Sequence, residues 1–204
     1  DVAGGTLHLT PSGGTTNNGI LEARNGGTLF LDSAVTGAVG SSIFAGAGSA
    51  VWQNGVTLSG VINADGAGSF RAVGSNANVL NGVTFNGPLD LGTSFSIERV
   101  TGGLTLNGSI AVNSNSVLSF IGNQTLGGTG TIAIGDTGSS NRALSMEGDT
   151  VLTIGPNIVV RGQNGTIGQA YTVGGAQSIV NNGLISADVA GGTLHLTPSG
   201  GTTN

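Results

Sequence analysis

The chain has 204 residues, 40 of them glycine, with 7% charged, 4% aromatic, a net charge of −5, and neither cysteine nor lysine. That composition excludes disulfides and thiolate metal sites. It also lacks the basic footprint that nucleic acids or an anionic membrane surface require. No apolar run approaches the roughly 18 residues of a membrane-spanning helix, so no membrane insertion is expected.

The stretch DVAGGTLHLTPSGGTTN runs from residue 1 to 17 and returns unchanged from 188 to 204, an offset of 187. We read 1–187 as one sequence period, 188–204 as the start of the next, and 1–204 as a single continuous segment. Hydrophobic residues make up 37% of the chain and alternate with polar ones. A disordered chain lacks that pattern. No 3.6-residue period holds, which argues against helix.

Along the chain, short apolar–polar–apolar segments come in threes. One kind is ILEA (20–23), SIFA (42–45), VINA (61–64), PLDL (88–91), SIAV (109–112), TIAI (131–134), TIG (166–168) and LISA (184–187). Alternation points Leu21, Ile43, Ile62 and Leu89 inward and Glu22, Phe44, Asn63 and Asp90 outward. A second kind is GTLHL, GTLFL, SAVW, SFRA, SFSI, VLSF, ALSM and AYTV. Its inward pairs are predicted to be Leu7 and Leu9 (Leu194 and Leu196 in the second copy), Leu29 and Leu31, Ala50 and Trp52, and Phe70 and Ala72. Phe95 and Ile97, Leu118 and Phe120, Leu144 and Met146, and Tyr171 and Val173 follow. Trp52 would then meet Ala72 on the next coil, large against small. A third kind closes each coil on Gly60, Gly87, Gly108, Gly128, Gly162 or Gly183, with Asn-Gly and Ser-Gly as corner chemistry.

Strands this short are not stable as isolated hairpins. Coiling stacks each strand on its equivalent one turn later, about 4.8 Å away. The expected fold is an all-β parallel β-helix (β-solenoid) with about three short strands per coil. About eight coils fill a 187-residue period, a rod of about 38 Å at that spacing. A hairpin sandwich or barrel is the competing all-β reading. The segment TVLTIG (150–155) is extra in the long coil 132–167 and reads as an outward excursion or a fourth strand.

The phrases IVNNGLISADVAGGTLHL and NNGILEARNGGTLFL resemble coils of large bacterial exoproteins, the filamentous-haemagglutinin-like and autotransporter-type β-strand repeat proteins. The resemblance covers essentially the whole chain and implies a right-handed β-helix, secretion across the outer membrane to an extracellular or cell-surface location, and a role in adhesion or surface structure. It brings no catalytic residues with it.

The residues themselves offer little chemistry. Asp90, Glu98 and Arg99 come nearest to a carboxylate cluster and read as solvated charges. Asp136, Glu147 and Asp149 flank the long coil without the oxygen-rich, Gly-punctuated loop that calcium takes. His8, repeated as His195, is a lone outward histidine. No catalytic, metal or cofactor site is assigned. Thr57, Thr84, Thr105 and Thr125 are expected as one outward column; such columns bind ice on some flat solenoids, and exposed strands favour Thr in any case. Asn107, Asn123 and Asn164 open N-x-[ST] patterns, which matter only where the source glycosylates.

Two contact surfaces are expected. Phe30, Phe44 and Val51 face outward beside Arg71 and form a candidate lateral patch, for self-association or a host-surface ligand. Leu194 and Leu196, with Leu7 and Leu9, form a repeat-junction coil where identical repeats stack end to end. The expected role is a non-catalytic repeat unit of a bacterial surface fibre. The alternatives are the stalk of a secreted adhesin and, more remotely, a β-helix carbohydrate-active enzyme.

Overall fold

A computed structural model of the chain describes residues 3–73, 75–92, 95–136 and 141–204. Their 23 strands join one sheet, every pairing is parallel, and the described residues contain no helix. The chain is a right-handed parallel β-helix of about nine turns.

Three stacked faces make up the rod. The first face climbs from Thr6–Leu9 through Thr28–Leu31, Ala50–Gln53, Ser69–Ala72, Pro88–Asp90, Ser109–Val112, Thr131–Asp136 and the start of Val159–Ile167 to Leu184–Ala187. The second begins with Thr15–Asn17 and Val35–Gly37 and ends with Leu144–Glu147, the close of Val159–Ile167, and Leu194–Leu196. The third begins with Ile20–Ala23 and Ser42–Ala45 and ends with Val151–Ile154, Ser178–Asn181 and Thr202–Thr203.

Alternation builds the core. The inward row of the first face is Leu29, Val51, Phe70, Leu89, Ile110, Ile132 and Val160, each at most 1% exposed. Each such side chain contributes about 1.5–3 kcal/mol by leaving water. Phe70 reaches across to Phe85 of the third face, ring centroids 5.3 Å apart and edge to face. Corners are held by stacked amides: Asn107 Nδ2 donates to Asn86 Oδ1 (2.9 Å), and Asn86 Nδ2 donates to Asn63 Oδ1 (2.8 Å). Glycine is required where corners of successive coils touch. A Cβ on Gly108 would lie 2.0 Å from the Gly87 carbonyl oxygen.

The strands sort differently from the predicted types. ILEA, SIFA and VINA belong to the third face, whereas PLDL, SIAV, TIAI and LISA belong to the first. The cause lies at the corners. Thr57–Ala64, Asn78–Asn86 and Ile97–Leu106 each cover two faces in one long strand. Their bend falls at glycines such as Gly60 (φ 95°), with no break to count.

Several side chains are corrected with it. In AVWQ, Val51 and Gln53 point inward (both 0% exposed), while Ala50 and Trp52 point outward. Trp52 therefore meets Arg71, and Gln53 meets Ala72. Phe95 is 56% exposed at φ 64°. TVLTIG holds a regular third-face strand, Val151–Ile154. The excursion is instead 168–177, which has no strand and leaves Val173 57% exposed. Thr84 and Thr105 are in register, but Thr57 pairs with Val79 and Thr125 with Thr153, so the four form no single column.

Candidate lateral-contact surface and repeat junction

On the first face, the outward row opens with an aromatic and charged ladder. His8, Phe30, Trp52, Arg71 and Asp90 stand in direct register on five successive coils. His8 stacks on Phe30 with centroids 4.5 Å apart and ring planes 3° from parallel. Phe30 and Trp52 follow at 5.4 Å, and the Arg71 guanidinium lies 5.6 Å from the Trp52 ring. Arg71 Nε then stands 3.7 Å from Asp90 Oδ2. Each stacked pair adds about 0.5–1.5 kcal/mol beyond its burial. Cation–π contact extends the row from apolar to charged without a break.

One edge of the ladder is pinned by Asp32. Its Oδ1 accepts from Asn54 Nδ2 at 2.7 Å, and its Oδ2 sits 2.6 Å from His8 Nδ1. The Asn54 hydrogen bond, then that of His8, hold the Asp32 carboxyl below its ordinary range.

The predicted patch therefore divides. Phe30 and Arg71 lie in the ladder, but Val51 is buried and Trp52 takes the surface position beside it. Phe44 lies on the third face, between Glu22 and Asn63, with the Arg24 guanidinium 4.7 Å over its ring. His8 is outward as expected but not alone, and Trp52, expected inward, joins it outside, so the sequence reading placed neither in the patch. A signal was present, since His8, Phe30 and Trp52 follow one another at an unbroken spacing of 22 residues.

The acidic groups do not come together. Asp90 is on the first face, and Arg99 is outward on the second, donating to the Asn76 carbonyl. Glu98 is fully buried, not solvated, because it takes an inward position in register with Asn78 and Leu118. Neither of its carboxyl oxygens has a partner, nor has Gln53 Oε1. Burial pushes the Glu98 carboxyl well above its ordinary value, against the opposing influence of Gln53 and Arg99. A protonated Glu98 carries an O–H, and the neighbouring Gln53 side chain offers it an unpartnered acceptor in Oε1.

Glu147 is a structural anchor. It accepts from the Thr172 and Val173 amides, from Thr172 Oγ1 (3.0 Å) and from Ser119 Oγ (3.1 Å), tying the excursion to the second face. Burial pushes its carboxyl up, but these hydrogen bonds together hold it below the ordinary value. Asp149 Oδ1 accepts from the Ala176 amide at 2.8 Å, on the same excursion. The Asp136 side chain lies outside the described residues. Among the described residues, no three His, Cys, Asp or Glu side chains are grouped to hold a metal ion.

The junction residues lie in the first and last described coils. Leu7 and Leu9 pair with Leu29 and Leu31 on the first face; Leu194 and Leu196 pair with Gly165 and Ile167 on the second. All four occupy inward positions, yet Leu7 is 57% and Leu196 44% exposed. One coil further in, Leu29 is 1% exposed. Comparison of the chain with family models, curated proteins and solved structures finds no match.

Proposed function

We propose that the chain is a structural repeat unit of an extracellular or cell-surface bacterial fibre, non-catalytic and joined end to end with identical repeats. The observation that carries this is the exact return of seventeen residues after 187, on a rod whose apolar core runs on from coil to coil. In a solenoid each coil is buried by its neighbours, so a repeated stretch of coils continues the same core.

The His8–Phe30–Trp52–Arg71 ladder is the surface for lateral contact, since it combines flat aromatic area with a cation. Electron microscopy of the source surface or of the full-length protein tests the reading. Long thin filaments are expected, and short isolated particles would refute it. An adhesin stalk would show the same rod ending in a non-repetitive tip.

A further inference from the structure

Asp188–Asn204 repeats Asp1–Asn17 residue for residue, yet the two copies occupy different faces. In the first copy, Thr6–Leu9 lies on the first face, against Thr28–Leu31. In the second, Leu194–Leu196 lies on the second face, against Gly165, Thr166 and Ile167. The following segment moves in step. Thr15–Asn17 is on the second face, against Val35–Gly37, whereas Thr202–Thr203 is on the third, against Ile179 and Val180. From one copy to the next the chain therefore makes eight whole turns and one third of another.

The corners show why the same sequence tolerates either place. Asn17-Asn18-Gly19 turns the corner from the second face to the third, and Asn17 Oδ1 accepts from the Gly19 amide at 3.1 Å. Asn181-Asn182-Gly183 turns the corner from the third face to the first by the same bond at 3.2 Å. Asn204, the counterpart of Asn17, then stacks on Asn181, its Oδ1 accepting from Asn181 Nδ2 at 2.6 Å. One corner device serves two corners of the rod, so a segment ending in it fits either.

We infer that the C-terminal end of the rod is the docking surface for the next identical repeat, and that the repeat docks rotated by a third of a turn. The counterpart of Ile20–Ala23 then lands on the first face, upon Leu184–Ala187. The counterparts of Thr28–Leu31 and Val35–Gly37 land on the second and third faces, upon Leu194–Leu196 and Thr202–Thr203. Every pairing between the first two coils is kept, moved round by one face. Three periods make twenty-five coils before a residue returns to its own face, and each period advances about 40 Å at the usual strand spacing. The aromatic ladder consequently faces three directions in turn. This extension to an array rests on the fibre reading above; the rotation within the chain does not.

The chain has no cysteine, so paired substitutions test the offset directly. The reagent is dibromobimane, a short bifunctional alkylator that becomes fluorescent on joining two thiols. The positive control is His8→Cys with Phe30→Cys, in register in the first copy. Val180→Cys with Thr203→Cys, in register on the third face, is expected to crosslink as the control does. His195→Cys with Arg161→Cys is expected to stay at background. A whole-turn period would place His195 on the first face over Arg161. Crosslinking of 161 with 195, or failure of 180 with 203 while the control reacts, overturns the inference. Image reconstruction of the full-length protein separates the two proposals. Filaments whose repeats share one orientation refute the offset and spare the fibre, and a crosslinked chain from a source without filaments does the reverse.

Discussion

Glu98→Gln is expected to stabilise the rod at neutral and alkaline pH. The Glu98 carboxyl is 0% exposed, has no partner on either oxygen, and lies within reach of the Gln53 side chain, whose Oε1 is equally unpartnered. Its value in the folded chain is raised above the ordinary 4.5. The stability linked to it is therefore fully present below that ordinary value and is lost as pH rises through the folded one. Gln has the same shape, carries no charge, and offers an N–H to Gln53 Oε1 at every pH. A buried polar group left unpaired costs about 1–3 kcal/mol, so the variant should gain about 2 kcal/mol at pH 8. At about 2–4 °C per kcal/mol for a chain of this size, its melting temperature should rise by about 4–8 °C. Thermal unfolding followed by circular dichroism from pH 4 to pH 9 reads the difference. The two proteins should converge at the acid end and separate steadily above it. Parallel melting curves across the range, or a variant less stable at pH 8, would refute the account of this site.

Further outcomes follow from the same geometry. Val51→Ala should cost about 2 kcal/mol in urea unfolding, and Trp52→Ala only about 1 kcal/mol from its lost stacking; the reverse order would restore the register in which Trp52 is buried. Gly108→Ala should cost about 3 kcal/mol or prevent folding, because its Cβ meets the Gly87 backbone. Gly174→Ala has nothing within 4 Å and should shift stability by less than about 0.5 kcal/mol; equal effects at both positions would exclude the steric argument. Glu147→Gln should strip hydrogen-exchange protection from the Thr172 and Val173 amides, and unchanged protection would show that the excursion is held by something else. Because the Glu147 carboxyl lies below its ordinary value, wild-type protection there should persist above the carboxylate range and fade as pH falls through the folded value.

Much of this fold is written locally. The alternation in TLFL and SIAV states which side chains enter the core, and Leu29, Leu31, Ile110 and Val112 all did, whereas Ala50, Trp52, Phe95 and Val173 did not. Register was harder where local cues conflict. In SAVWQNG, size argues for burying Trp52, but one residue of slip exchanges the faces of every side chain in the strand. Stacking against Phe30 and Arg71 outside, with Gln53 closing its hydrogen bonds to Val56 and Val79 carbonyls inside, favoured the other choice. Glu98 was misplaced for a related reason. A glutamate in a short strand reads as a surface charge, and its burial follows from a register with Asn78 and Leu118 that only the coils on either side define.

The interchangeable Asn-Asn-Gly corners carry a consequence for heredity. A gene of identical tandem units gains and loses copies by unequal recombination, and most folds would be broken by such an event. In the proposed fibre every joint between units is made by the same segments whatever the copy number, and no fixed total of turns has to be completed. Descendants could then differ in the reach of the rod by whole units, with neither a new junction to evolve nor a core to repair.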